Sequence, residues 1–180
     1  MFMVPVDIFK LHDLKDTDGF ICIHGLSVVL SEQIKALGGC RDFERAPVHL
    51  FVLKRLLPSF NFAEEHVILT VKRSKHKVKV PLRVDAELAY LIGLVLGNGS
   101  LAGHRSTERG GWRIHFCGSD ESFVKVYASM VGRLFGIKAR LKRITRQNRK
   151  PHFEAVFASK VVHRLLTNVF EIPAGVKHNK

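Results

Sequence analysis

The segment from Leu88 to Gly99 combines an apolar, helix-forming run with a glycine-rich turn. Ala89, Gly93 and Gly97 recur along it at steps of four, which places them on one side of a helix. Small residues on one side let a second helix approach closely, so the turn at Asn98 can meet its counterpart and form a paired active site. The alternative is a buried helix that simply ends at the glycine-rich turn.

A second distinctive segment runs from Lys138 to Lys150 and holds seven basic residues and no acidic one. An ordinary solvent-exposed surface mixes both signs, so this imbalance indicates a polyanionic partner. On a two-stranded ribbon, Arg and Lys can reach guanine edges in the major groove, and the tip of the ribbon can reach phosphates. The basic residues are Lys138, Arg140, Lys142, Arg143, Arg146, Arg149 and Lys150, and the expected tip is residues 143–150.

The chain as a whole is also basic. Its 180 residues include 29 Lys and Arg against 16 Asp and Glu, a formal net charge of +13. This excess indicates a polyanionic partner, with an anionic membrane surface as the alternative. No apolar run approaches the roughly 20 residues of a membrane span, and the N-terminus lacks the pattern of a secretory signal. We therefore expect an intracellular protein, cytoplasmic or nucleoid-associated, with no membrane partner.

Cysteine, histidine and serine chemistry has little support in the sequence. Cys22, Cys40 and Cys117 are odd in number and far apart, which argues against a disulfide framework and against a zinc site. The ten histidines include no pair with the spacing of a zinc-binding helix, and no Gly-x-Ser-x-Gly turn is present. The cysteines are expected to be buried thiols.

The charge density changes near residue 84. Residues 1–84 hold 13 basic and 9 acidic residues, whereas residues 85–180 hold 16 and 7. A basic stretch that ends in a short alternating strand before Pro81 marks the boundary. We expect a small N-terminal region, residues 1–84, and a second domain, residues 85–180. The glycine-rich helix occurs once, so a paired site requires a homodimer, unless the chain is a piece of a longer two-motif protein.

The pattern of residues 1–84 predicts two short helices followed by a strand. Ser31 can cap a helix that runs to Leu37, and a second helix is expected from Val48 to Leu57. The pair fits either a helix-turn-helix that reads DNA or a plain helical hairpin, which is the commoner structure. The alternation from His66 to Val71 predicts a strand.

The pattern of residues 85–180 predicts helices that cover one face of a sheet. Asp85 and Ser119 are placed to cap two helices, the second of which has an apolar stripe from Phe123 to Leu134. Residues 112–117, 137–142 and 152–157 alternate with the period of a strand. Because the apolar face must take the helices, a largely basic face is left open. Its expected members are Arg113, His115, Lys138, Arg140, Lys142 and His152, and a nearby hairpin loop adds Arg105 and Arg109.

The order of these motifs resembles the LAGLIDADG homing endonucleases of the single-motif type. Their signature, Leu-Ala-x-Leu-Ile-Gly-x-x-Leu-Gly-Asp-Gly-Ser, matches residues 88–100, which read Leu-Ala-Tyr-Leu-Ile-Gly-Leu-Val-Leu-Gly-Asn-Gly-Ser. The resemblance continues through Ile114-His115-Phe116, Ser119-Asp120, Leu134-Phe135-Gly136 and the segment from Phe170 to Lys177. It therefore covers residues 85–180 almost end to end.

The resemblance implies an α+β fold: an αββαββα unit in which a saddle-shaped antiparallel sheet is backed by helices, preceded here by a small helical N-terminal region. It implies cleavage of a long double-stranded DNA site by a homodimer that packs through Ala89, Gly93 and Gly97. It also implies Mg²⁺ at the position of Gly97 and Asn98, and Lys177 matches a lysine that supports the reaction. An intron or intein is the host element that the family suggests.

Asn98 departs from the family, which has Asp at this position. An amide offers a carbonyl oxygen without charge, so a pair of Asn98 residues removes two negative charges from a site that must hold a divalent cation. We therefore expect Mg²⁺ binding and cleavage to be impaired. The alternatives are a non-cleaving, sequence-specific DNA-binding regulator and an RNA-binding splicing factor of the maturase type.

Overall fold

The computed structural model describes residues 4–11, 21–24, 48–49, 65–71, 76–102, 111–145 and 150–175. The helices in these ranges are α1 (Ala86–Asn98), α2 (Glu121–Phe135) and α3 (Lys160–Arg164), the last continued by a π-helical turn at Leu165–Val169. None of them is long and apolar enough to span a membrane. A 3-10 helix spans Ile8–Leu11. The strands are β1 (Val4–Pro5), β2 (Ile21–His24), β3 (Val48–His49), β4 (His66–Val71), β5 (Val78–Pro81), β6 (Arg83–Val84), β7 (Gly99–Ala102), β8 (Arg113–Gly118), β9 (Arg140–Ile144) and β10 (His152–Ala158).

Residues 86–164 form the αββαββα unit that the family resemblance implies. The order along the chain is α1, β7, β8, α2, β9, β10, α3. The four strands form one antiparallel sheet in the order β7-β8-β10-β9, so the two hairpins meet at its centre through β8 and β10. The predicted α+β fold is confirmed.

Helix α2 covers one face of this sheet. Its apolar stripe, including Tyr127, Met130 and Leu134, is buried as predicted. The ring of Phe116 from β8 stacks on Tyr127 with centroids 4.3 Å apart, and Phe123 meets Phe116 edge-on at 5.6 Å. Aromatic contacts of this kind add to the stabilisation from apolar burial, so they hold the helix against the sheet.

The cap of α2 differs from the prediction by one residue. Asp120, and not Ser119, is the N-cap: its carboxylate accepts hydrogen bonds from the Ser122 N–H at 2.8 Å and from the Ser122 hydroxyl at 2.6 Å. A carboxylate is favoured here because it also meets the positive end of the helix dipole. These hydrogen bonds lower the pKa of Asp120. At its other end, the helix stops at Gly136, whose φ of 67° is left-handed.

Helix α1 packs through one side only. Asp85 caps it as predicted, accepting from the Leu88 N–H at 2.8 Å. Leu88, Leu91 and Val95 are buried, and Glu87 accepts a hydrogen bond of 2.8 Å from the Arg133 guanidinium on α2. The opposite side of α1 is therefore left exposed.

The chain passes from α1 directly into β7 at Gly99. A Cβ added to Gly99 would lie 2.5 Å from the Val95 carbonyl oxygen and 2.7 Å from the Val95 Cα. Both atoms belong to the backbone of the helix, so moving them aside would distort the helix and destabilise the fold. Glycine is thus required where the strand begins immediately after the helix.

The N-terminal region was predicted to be helical, but its described part is mainly a second antiparallel sheet, in the order β3-β2-β4-β5. Strand β4 has the bounds that the alternation predicts, and β5 ends at Pro81 as expected. Val48 and His49, where the second helix was predicted to begin, instead pair with β2, because a long-range ladder overrides a local helical pattern. Residues 50–57 and the helix predicted from Ser31 to Leu37 lie outside the described residues, so the helix-turn-helix stays a prediction.

One hydrophobic core joins both parts of the chain. Leu69 and Val80 of the N-terminal sheet belong to the same buried cluster as Leu134 of α2 and Val161 of α3. Strand β5 contacts α2 directly, and β4 contacts α3. The division of the chain at residue 84 stays a prediction.

Replacement of Gly99 by alanine should destabilise the fold. The added Cβ overlaps the Val95 backbone, so we expect a loss of about 1–3 kcal/mol in the free energy of unfolding, measured by urea denaturation at one protein concentration. The control is Gly132→Ala on the exposed side of α2, where the Cβ would meet its nearest neighbour at 3.9 Å. That variant should gain up to about 1 kcal/mol. Equal stability of Gly99→Ala and the parent protein would contradict the close approach.

Candidate nucleic-acid interface

The sheet face opposite the helices carries residues in register across all four strands. Ser100, His115, Val156 and Arg140 form one row, from β7 to β9. The next row along the strands contains Cys117, Glu154 and Lys142, and Arg113 lies opposite Ala158 on the other side of the first row. Alternate residues of β8, Ile114 and Phe116, are buried under the helices. We call this outer surface the open face.

The open face contains a depression of about 270 Å³. Its basic residues come from two strands that are not neighbours: Arg113 and His115 from β8, and Arg140 and Lys142 from β9. Strand β10 runs between them, and its small or apolar side chains, with Val156 at the centre, form the floor. The depression is therefore a groove with basic residues of β8 along one side and basic residues of β9 along the other.

Glu154 is the open-face residue that the sequence analysis missed. Its Oε1 lies 2.6 Å from the Nδ1 of His115, and its side chain is only 12% exposed. Since an ionised carboxylate can only accept, Nδ1 donates and Nε2 is the ring nitrogen left to meet a ligand. The alternation of β10 puts Glu154 in phase with His152, but its contact with His115 depends on the pairing of β8 with β10. That register is not visible in the sequence.

Cys117 adjoins this pair, with its Sγ 3.9 Å from the same Glu154 oxygen. Burial raises the pKa of the Cys117 thiol, and the negative charge of Glu154 raises it further. The thiol therefore stays protonated at neutral pH and is a poor nucleophile. It is half-buried, and the side chains of Cys22 and Cys40 lie outside the described residues.

Two residues predicted for the basic surface have other positions. Lys138 precedes β9, because the turn at Gly136 is followed by a connection and the strand begins only at Arg140. Its side chain lines a cleft between the two sheets instead. Arg143 lies within β9 opposite Phe153, out of phase with the open face, and so is not part of the hairpin tip. This correction follows from a strand that extends to Ile144.

The other predicted DNA-contacting residues divide into two groups. Lys150 is exposed just before β10, and His152 begins β10 in phase with Glu154. Arg105, Arg109, Arg146, Arg149 and Lys177 lie outside the described residues. The segment before Lys177 is anchored, because the Gly175 N–H donates to the Leu101 carbonyl at 2.8 Å.

The exposed side of α1 carries the predicted small residues. Ala89, Gly93 and Gly97 are exposed, and so are Tyr90 at 52% and Leu96 at 48%. A Cβ added at Gly93 or Gly97 would have no described atom within 4 Å. Asn98, the last residue of the helix, is also exposed. This side of the helix has small residues and exposed apolar side chains against which a second helix could pack.

Residues 85–169 match the family model described as a LAGLIDADG-like domain. These residues form a LAGLIDADG-like domain. The match begins at the residue that caps α1 and ends with the π-helical turn after α3, so it contains every element of the αββαββα unit. No curated protein matches the chain. The match relates these residues to a DNA-binding family of the homing-endonuclease type.

The LAGLIDADG family is generally metal-dependent, and the end of α1 is where Mg²⁺ is expected. Asn98 offers a neutral amide oxygen and Gly97 a backbone carbonyl. Within the described ranges, no group of three or more His, Cys, Asp or Glu residues could hold a metal ion. Protein sites for Mg²⁺ usually supply one or two carboxylates. The donor set at this helix end therefore does not fit Mg²⁺ well.

Removal of the Glu154 charge should strengthen DNA binding by this LAGLIDADG domain. Glu154→Gln keeps a hydrogen-bond acceptor for His115 but removes a negative charge from a surface that is predicted to meet phosphates. We expect a gain of about 0.5–1 kcal/mol, roughly two- to fivefold in affinity at low salt and less at high salt. The measurement is fluorescence anisotropy of a labelled duplex. Glu121→Gln, the same charge change on α2, is the control, and an equal gain there would argue against the open face.

Proposed function

We propose that this protein binds a long double-stranded DNA site as a homodimer, with the open face of each sheet against the duplex, and that Asn98 impairs metal-dependent cleavage. One observation carries the proposal. Arg113, His115, Arg140 and Lys142 line a single groove on the sheet face opposite the helices. Their convergence requires two hairpins to pair at the centre of the sheet, so it is not a consequence of composition alone.

The groove supports contacts of two kinds. Arginine can read guanine through its O6 and N7 atoms, and Arg113 and Arg140 lie on strands that flank β10. Lysine acts more often as a point charge toward phosphate, which suits Lys142 and the exposed Lys150. His115, with Nδ1 donating to Glu154, offers Nε2 as an acceptor to a donor on a base edge. Base contacts would set the sequence preference and phosphate contacts most of the affinity.

The exposed side of α1 supports the homodimer. Tyr90 and Leu96 are about half exposed beside the small residues Gly93 and Gly97, which is unfavourable in a monomer. A symmetry-related α1 would bury them. The symmetric contact would bring Asn98 of each chain to a common axis. Each open face would then cover one half of a long site, which suits a pseudo-palindromic duplex.

The chemistry at Asn98 separates binding from cleavage. The C-terminal end of α1 carries partial negative charge from the helix dipole, which is far smaller than the charge of two carboxylates. We therefore expect cleavage by the unmodified chain to be weak or absent while binding persists. The same residue favours the second candidate, a non-cleaving DNA-binding regulator. If structured RNA binds more tightly than duplex DNA across a salt series, the maturase-type function would replace both.

Neutralising one side of the groove should weaken DNA binding. For the double variant Arg140→Gln with Lys142→Gln we expect a loss of roughly tenfold or more in affinity and a shallower dependence on salt, by about one to two units in the log-log slope. The matched control is Lys10→Gln with Lys125→Gln, which removes two charges from exposed sites outside the open face. If both double variants bind equally well, the groove is not the DNA-binding surface.

Replacement of Asn98 by aspartate should restore cleavage. Two carboxylates at the dimer axis would supply the charge that Mg²⁺ needs, so we expect Mg²⁺-dependent double-strand cleavage to rise by about 100-fold or more. The substrate is the duplex selected from a randomised pool for tightest binding, and mass spectrometry confirms that Asn98 in the parent has not deamidated. Asn98→Ser is the uncharged control. Tight binding without cleavage by the aspartate variant would favour the regulator.

A further inference from the structure

A basic cleft lies between the N-terminal sheet and the LAGLIDADG domain. Its volume is about 750 Å³. The loop that leads into β5 forms one wall with His76 and Lys77, and the connection before β9 contributes Lys138. Trp112, just before β8, and Lys160, at the start of α3, line the rest. The cleft thus depends on both parts of the chain.

The described charged residues of the cleft are all basic. Its described lining residues include three lysines and a histidine, and none of those described is Asp or Glu. Lys160 is only 5% exposed, and its Nζ lies 5.7 Å from the centroid of the Trp112 ring. The guanidinium of Arg164 lies 4.7 Å from the same ring. Lys77 and Lys138 are exposed where they line the cleft, so their positive charges suit an anionic ligand.

The cleft and the groove of the open face share a border. Phe157 and Ala158, at the end of β10, line both of them. Arg113 of the groove is also the residue next to Trp112 of the cleft. A continuous basic surface therefore runs from Arg140 and Lys142 past the end of β10 to Lys138 and Lys77.

We propose that this cleft holds the sugar–phosphate backbone of the DNA duplex where it leaves the open face, so that the N-terminal region is part of the DNA-binding surface. This inference rests on the proposed function. The contacts would be with phosphates, because Lys77 and Lys138, on two separate segments, offer point charges without the planar pairing that base recognition uses. The N-terminal region would then add affinity and length to the bound site, and little sequence preference.

Two readouts in one titration test this. The chain has a single tryptophan, Trp112, so its fluorescence reports occupation of the cleft, while anisotropy of a labelled duplex reports binding by the whole protein. With the full-length protein, we expect duplex DNA to change both signals together. In the double variant Lys77→Gln with Lys138→Gln, the Trp112 response should fall by at least half, and affinity should drop roughly tenfold with a shallower salt slope. Both lysines are exposed, so the fold should persist.

The outcomes separate the two proposals. The matched control, Lys10→Gln with Lys125→Gln, should behave as the parent in both signals. If the parent shows no anisotropy change with duplex, the proposed function fails. If duplex binds but Trp112 does not respond and the cleft variant binds as tightly as the parent, only the inference about the cleft is overturned. A Trp112 response to inorganic phosphate at millimolar concentration, with none to duplex, would also overturn it and indicate a small-anion site.

Discussion

The stack of Phe116 on Tyr127 at 4.3 Å joins the sheet to its covering helix, and the rest of the structure depends on that coverage. A four-stranded sheet must bury one face, and α2 takes the face that carries Phe116. Because side chains alternate along a pleated strand, every second residue of β8 and β9 then points to the open face. Arg113, His115, Arg140 and Lys142 reach one groove because apolar burial on the far side fixes where they point.

The basic groove and the end of α1 place different demands on the sequence. A DNA-binding surface needs only net charge, suitable spacing and an uncovered face, and the groove has all three. A metal-dependent nuclease also needs carboxylates at one point, and Asn98 supplies none. Asn and Asp have nearly the same shape, so the fold tolerates either residue. Asparagine at this position would therefore leave the sheet, the exposed side of α1 and the groove as they are, whatever its effect on cleavage.

Local patterns predicted the elements that depend on burial within one strand or helix. The alternations gave β4 its bounds and β8 its buried and exposed sides, and Asp85 was recognisable as a cap. The start of β9 was predicted too early, because the segment after Gly136 has the alternation of a strand without a partner for its first residues. The N-cap of α2 was predicted to be Ser119 and is Asp120, because either of these adjacent residues can cap a helix.

Features that depend on pairing between distant segments could not be predicted. The contact of Glu154 with His115 needs the register of β10 against β8, and the strand at Val48 needs β2 beside it. The cleft around Trp112 arises where two sheets pack through a shared core, so no single segment carries a signal for it. The role proposed for Asn98 rests on resemblance to a family, because an asparagine between two glycines otherwise indicates only a turn.

The molar mass of the protein–DNA complex, measured by sedimentation on the selected duplex, tests the central claim most directly. A homodimer that joins through α1 and presents two open faces predicts two chains on each duplex, with half-saturated complexes scarce. One chain per duplex at saturating protein would contradict it and leave the exposed side of α1 without the partner proposed for it.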